Sequence, residues 1–280
     1  TTSFGTPVRF HKDAVNADHI ICTGSVVHHF FAGYGGGRKA LLPGCAEYET
    51  IRCNHSLMLN PAAEIGRLEG NPIYEDQVEG TEMCRPTFLL NVVLNEQAQF
   101  TGVFCGDYIK AHKEACRFVD TQNGVRIKER TPIVIATCGG YPKDINLYQG
   151  MKSYAPAQMA MQPNGIFIAL LDCPDIYEPP SFFDCFRFND ELSMEKELRA
   201  GFTIPFYIAF YMYCMSKQFT VIMVTRPENF DAVRRTGQIP AATLAEAWTL
   251  AQKKLMAQGK AETYTVNIMP HGVNTVPMFK

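Results

Sequence analysis

Pro132-Ile133-Val134-Ile135-Ala136-Thr137, then Cys138-Gly139-Gly140-Tyr141-Pro142, and further on Gly165-Ile166-Phe167-Ile168-Ala169-Leu170-Leu171 decide the architecture. The two apolar runs, rich in β-branched residues and bounded by glycine and proline, read as buried strands, and Asn146–Met161 between them reads as a helix. A strand, loop, helix, strand unit is the signature of a parallel sheet. Downstream, Phe219–Val224 reads as a strand, Ala241–Ala257 as a helix and Tyr264–Ile268 as a last strand, giving a Rossmann-like parallel-sheet domain. The first part of the chain mixes strands and helices, so the fold class is α/β. Ala17–Thr23, Thr87–Leu94 and Gln99–Cys105 read as strands, the last two joined through Asn95-Glu96-Gln97. Glu47–Leu59, Asn71–Glu82 and 108–122 read as helices. The polar stretch Thr121–Thr131, with Gly124, is the expected boundary, giving domains at 1–125 and 126–280.

The 280 residues are 46% hydrophobic and 19% charged, as in a packed globular chain. With 26 Lys+Arg against 28 Asp+Glu the net charge is −2, so no basic field attracts nucleic acid or anionic lipid. The expected partner is a small molecule or none, with neither nucleic acid nor membrane involved. Ten cysteines without one C-x-x-C pair offer no zinc knuckle and point to buried thiols in a reducing cytoplasm. The chain does not start with Met, and Thr1–Arg9 reads like the end of a loop entering a strand, so upstream sequence is expected to be missing.

The densest chemistry lies at 29–39, His-Phe-Phe-Ala-Gly-Tyr-Gly-Gly-Gly-Arg-Lys. Four glycines within five residues free the backbone to adopt positive φ and to approach a ligand. The loop is not a Walker A motif, because Arg38 precedes Lys39 and Ala40 follows it, and the G-x-G-x-x-G spacing fails at Arg38. Against a binding role stands a plain glycine turn with solvated Arg38 and Lys39. His29, Lys39 and His55 are the candidates here: imidazole serves as base or metal ligand, and a desolvated lysine can attack carbonyl carbon. The neighbours His28 and His29, if extended, face opposite ways, so at most one enters a given pocket. A second group, Tyr148, Gln149 and Lys152, follows the Gly139-Gly140 loop. On a helix beginning near Asn146, Tyr148 and Lys152 share one face at i and i+4, in a carboxylate-binding arrangement. The alternative is a solvated helix end, with Lys143 and Asp144 as a capping pair.

Residues 29–39, with Leu42-Pro43-Gly44 and Asn54-His55, closely resemble the core motif of the nickel-pincer lactate racemase family. Gly139-Gly140-Tyr141-Pro142-Lys143-Asp144 with Tyr148-Gln149-Gly150-Met151-Lys152 resembles the family's second signature, and the likeness extends over essentially the whole chain. The resemblance implies a racemase or epimerase of small α-hydroxy acids. Lys39 would carry the covalently linked nickel-pincer nucleotide, a pyridinium thioamide/thiocarboxylate mononucleotide, which makes 1–125 the cofactor-binding part. His55 would ligate the nickel, and His29 would be one of two catalytic bases. Tyr148, Gln149 and Lys152 would hold the substrate carboxylate and nearby cofactor groups, and cofactor-biosynthesis proteins would be partners. The chemistry is consistent: an α-hydrogen too weakly acidic for histidine is more readily removed as hydride while a base takes the hydroxyl proton. Soft sulfur and carbon donors plus one imidazole suit square-planar nickel. Two departures follow from the same resemblance. The family's second catalytic histidine and a substrate-binding arginine come from a region preceding this sequence, so the chain alone is expected not to racemise. Gly35 stands where the motif commonly has serine.

Two other readings stay open: a non-catalytic anion- or metal-binding module with the same fold, and a plain zinc or nickel site through His29 and His55. Phe202, Phe206, Tyr207, Phe210, Tyr211, Tyr213 and Trp248 could line a substrate pocket but are expected in the core, as aromatic stripes at helical spacing usually are.

Overall fold

A computed structural model describes residues 1–95, 97–259 and 263–278, so Glu96, in the expected connection between two strands, lies outside the described residues. Contacts divide the chain into two compact units, Thr1–Gly124 and Val125–Lys280.

The second unit carries the parallel sheet that its apolar runs predict. Five strands lie in the order Ile239–Ala241, Thr220–Val224, Met161–Leu170, Thr131–Thr137, Val266–Met269, every neighbouring pair parallel. Ile133 lies beside Ile166 and Val266, and Ile168 beside Ile135 and Ile222, forming one apolar layer. The helix Leu244–Ala257 lays Ala247, Ala251 and Leu255 on that layer, with Trp248 half-buried at its margin. Val134, Ala136, Phe167 and Ala169 are buried as well, so both faces are covered, as a parallel sheet requires. Of the aromatic stripe, Phe206, Tyr207, Phe210 and Tyr213 are buried on the helix Ile204–Gln218 as expected, and Tyr211 is half-buried.

Four local expectations are corrected. The continuous helix Asn146–Met161 is instead three pieces: an α-turn at Leu147–Gly150, a 3-10 turn at Met151–Ser153 and a helix at Tyr154–Met159. Pro156 has no N–H for the Lys152 carbonyl, and its ring would collide with that carbonyl in an unbroken α-helix. The following strand starts at Met161 rather than Gly165. Asn146 caps the first piece by accepting from Gln149 N, whereas the Asp144 carboxylate accepts from Asp172 N, so Lys143 and Asp144 are not the cap. Ala241 closes a three-residue strand, and the next helix starts only at Leu244, after Thr243 accepts from Glu246 N.

The first unit is built on the strands Ile21–Ser25, Phe88–Leu94 and Phe100–Gly106, the first pair parallel and the second antiparallel. Of Ile21–Ser25 only Cys22 is buried, because this strand lies at the sheet edge rather than inside it. The helix Tyr108–Asn123, capped by Asp107, packs Ala115, Cys116 and Val119 against Val26, Tyr34 and Val93. Helices at Tyr48–Ser56 and Pro72–Glu82 complete the unit. Among the described residues no helix is long and apolar enough to cross a membrane.

Candidate active site

The glycine loop of the first unit hangs between a short hairpin and a buried polar floor. In the hairpin, His28 pairs with Tyr34 and His29 with Gly33. The two imidazoles diverge, as adjacent strand residues must. His28 Nε2 lies 2.9 Å from Asp120 Oδ1, to which the Tyr34 hydroxyl also donates at 2.6 Å. His29 turns the other way, stacked on Phe30 at 5.2 Å between centroids and edge-on to Phe31 at 4.3 Å. His28 is therefore tied to a carboxylate, and His29 belongs to the aromatic group around Phe31.

Beyond the hairpin, Gly37–Ala40 forms a 3-10 turn that carries Arg38 and Lys39. At Gly37, φ is +59°, and a Cβ would stand 2.6 Å from His112 Cγ, so only glycine lets the turn rest on that imidazole. His112 Nε2 lies 2.8 Å from Gly35 O, and Asn91 Oδ1 accepts from Gly37 N at 2.8 Å. The loop position is thus fixed by a helix and a strand beneath it. Gly35 has ordinary φ and meets nothing closer than Val27 Cγ2 at 3.4 Å, which leaves room for the small side chain common in the motif.

The solvated reading of Arg38 fails, since the residue is 1% exposed. Its guanidinium donates to Gln77 Oε1 at 3.0 Å and to Ala32 O at 2.9 Å, and lies 4.6 Å from the Tyr74 ring centroid. Among the described residues no carboxylate pairs with it, and burial pushes its pKa down to about 10. Gln77 Nε2 donates to Asn54 Oδ1 at 3.1 Å, and Asn54 Nδ2 donates to Asp76 Oδ2 at 2.8 Å. One buried chain of hydrogen bonds therefore runs from the residue before Lys39 to the residue before His55.

Lys39 is half-buried, and its Nζ lies 5.7 Å from the Phe31 ring centroid. Desolvation, helped by the charge of Arg38, holds the amine well below the ordinary lysine range. His55, in the last turn of Tyr48–Ser56, is 7% exposed and packs edge-on to the same ring at 5.3 Å. Burial and the Lys39 charge lower its pKa to about 4, the Ile51 backbone acting weakly the other way. Its Nδ1 is buried without a hydrogen-bond partner among the described residues. Phe31 is itself anchored, because Asn71, the cap of Pro72–Glu82, donates from Nδ2 to Phe31 O at 2.8 Å. Hence His29, Lys39 and His55 all gather around one phenylalanine ring.

In the second unit Tyr148 and Gln149 are half-buried in the first short helix piece. Lys152 lies in the 3-10 turn, where its Nζ donates to Gln149 Oε1 at 2.6 Å. The i, i+4 helical face expected for Tyr148 and Lys152 is thus replaced by a Gln149–Lys152 pair. Desolvation raises the Tyr148 pKa and lowers that of Lys152, the latter against the influence of Cys138.

Sequence reasoning missed the floor of the loop. His112 was legible in principle, because it falls on the apolar stripe of Ala111, Ala115 and Val119 in Tyr108–Asn123. Gln77 carried no such signal, and Asn54 was marked only by standing before His55 in the motif. Among the described residues no group of three or more His, Cys, Asp or Glu could hold a metal. A single orphaned imidazole beside a neutral-tending amine instead fits a metal that arrives with its own donors on a lysine-linked carrier.

Residues 1–66 match the family description "Lactate racemase N-terminal domain" and residues 127–276 match "Lactate racemase C-terminal domain". The chain is 33% identical over 283 residues to the lactate racemase of Thermoanaerobacterium thermosaccharolyticum, covering 99% of this chain and 65% of that protein. It is 33% identical over 276 residues to the lactate racemase of Lactiplantibacillus plantarum, covering 95% and 63%. It therefore spans just under two thirds of the length of either relative. The structure of the lactate racemase apoprotein from T. thermosaccharolyticum superposes with a TM-score of 0.89 at 32% identity, over 97% of this chain and 65% of that one. A Thermotoga maritima protein shares the fold at a TM-score of 0.67 and 16% identity.

Proposed function

The chain belongs to the lactate racemase family, and from that premise we propose that it serves an α-hydroxy-acid racemase or epimerase. The observation that carries the reading is the convergence of His29, Lys39 and His55 on the Phe31 ring. Lys39 would hold the nickel-pincer nucleotide through its amine, which desolvation shifts toward the nucleophilic form. His55 offers the metal a neutral imidazole, its proton affinity lowered by burial. When bound, the nucleotide supplies a hydride acceptor, chemistry that no protein side chain offers. His29 takes the hydroxyl proton from the substrate and returns it. Tyr148, Gln149 and Lys152 hold the substrate carboxylate and nearby cofactor groups, the Lys152 ammonium already directed by Gln149.

The cofactor-building proteins are the partners this reading requires, and a reducing cytoplasm is the compartment it suits.

Co-expression with the cofactor-building proteins, followed by intact mass and metal analysis, tests the assignment. A mass adduct on Lys39 that is lost in Lys39→Ala is expected. His55→Ala should lose nickel, whereas His29→Ala should keep it. An unmodified lysine after such co-expression would favour the non-catalytic module, and equal nickel loss in both histidine variants would overturn the division of roles.

A further inference from the structure

The parallel sheet of the second unit reverses its direction of growth at one place. From Thr131–Thr137 the chain adds three strands on one side, whereas Val266–Met269 joins on the other. In open parallel sheets ligands bind outside the carboxyl ends of the strands, and here the loops leaving these two neighbouring strands meet at that end.

Here the two loops are stitched together. Thr137 Oγ1 donates to Pro270 O at 2.6 Å, Gly272 N donates to Thr137 O at 2.8 Å, and Gly139 N donates to Thr137 Oγ1 at 2.8 Å. Gly139 and Gly140 both have positive φ, +91° and +80°. A Cβ at Gly139 would lie 3.1 Å from His271 Nδ1 and 3.8 Å from Lys143 Nζ, while around Gly140 there is open space. An imidazole and an ammonium from different loops thus converge on one exposed stretch of glycine backbone. The acid next in sequence to Lys143, Asp144, is buried, its carboxylate accepting from Asp172 N. Among the described residues no carboxylate forms an ion pair with Lys143 or His271.

The geometry points to an oxyanion site at Gly139-Gly140, formed by Lys143 and His271 and built for the phosphate of a small phosphate monoester. It is separate in its donors from Tyr148, Gln149 and Lys152. Phosphate suits it better than carboxylate. The two donors come from different loops and do not form the planar fork that a carboxylate matches. The monoester's charge of roughly −1.5 to −2 near neutral pH and its three acceptor oxygens also suit an ammonium and a ring N–H arriving from separate directions. The site does not depend on the racemase reading, because it needs neither Lys39 nor a loaded cofactor.

Titration of the 280-residue chain with inorganic phosphate, and separately with lactate, tests it, with the His271 imidazole followed by NMR and assigned through its loss in His271→Asn. Phosphate is expected to shift that signal saturably. Lys143→Met should weaken phosphate binding about tenfold, the loss of one charge-assisted hydrogen bond. Lys143→Arg should restore most of it, and Lys152→Met should leave it within about twofold. Lys143 and His271 are exposed, so these variants should keep the wild-type circular dichroism and melting profile. Three results would overturn the assignment: no saturable shift with phosphate, equal weakening by Lys143→Met and Lys152→Met, or lactate moving the His271 signal as strongly as phosphate.

Discussion

The Lys39 amine and the His55 imidazole share the Phe31 ring as a common wall, 5.7 Å and 5.3 Å from its centroid, and burial drives both toward their neutral forms. Each therefore leaves a signature in the pH dependence of stability.

For His55 the folded pKa of about 4 lies below the ordinary value of roughly 6.5. The fold holds the neutral ring, so its stability is complete above about pH 6.5 and declines as the pH falls toward 4. His55→Leu should flatten this acid limb by up to about 1.4 kcal/mol per pH unit in denaturant titrations of the first unit. An unchanged slope would mean that the ring is solvated.

Lys39 carries the opposite test at high pH. Its depressed pKa means that the unfolded chain binds the extra proton, so this contribution grows as the pH rises toward the ordinary lysine value. Lys39→Met should be at least as stable as wild type at pH 7, with any advantage shrinking by pH 9.5 in urea unfolding. A marked loss of stability at pH 7 would contradict a desolvated amine.

Two glycines of the loop should respond differently. Gly37→Ala forces a positive φ on alanine and drives Cβ into His112, at a cost of about 2 kcal/mol or more. Gly35→Ser has neither problem and should cost less than about 1 kcal/mol. Thermal melts of the two variants side by side decide it, and equal losses would show that the loop does not rest on His112.

The buried chain from Arg38 through Gln77 to Asn54 should behave as one unit. Gln77→Leu strips an acceptor from a buried guanidinium and should cost about 1–3 kcal/mol. In a double-mutant cycle with Arg38→Met, the second change should cost clearly less than it does alone. Additive losses would show that the two side chains act independently.

The sheet of the second unit could be read from Pro132–Thr137 and Gly165–Leu171 because fully buried strands print as unbroken apolar runs. Ile239–Ala241 could not, since three residues with Pro240 at the centre carry no periodicity. The candidate residues His29, Lys39 and His55 stood out because glycine-rich loops and imidazoles are chemically conspicuous. The solvated alternative for Arg38 stays open in the sequence because an arginine's burial depends on acceptors elsewhere in the chain, here Gln77 Oε1 and Ala32 O. Hydrogen bonds between residues 39 positions apart leave no local trace.

The break at Met151–Ser153 reaches beyond the helix it interrupts. A turn wound with about three residues per revolution sits beside turns with about 3.6, a difference of roughly 20° in azimuth for each residue rewound. Lys152 therefore rides on a wrist: a slight change in local winding would swivel its ammonium away from Gln149 while every strand of the sheet stayed in register.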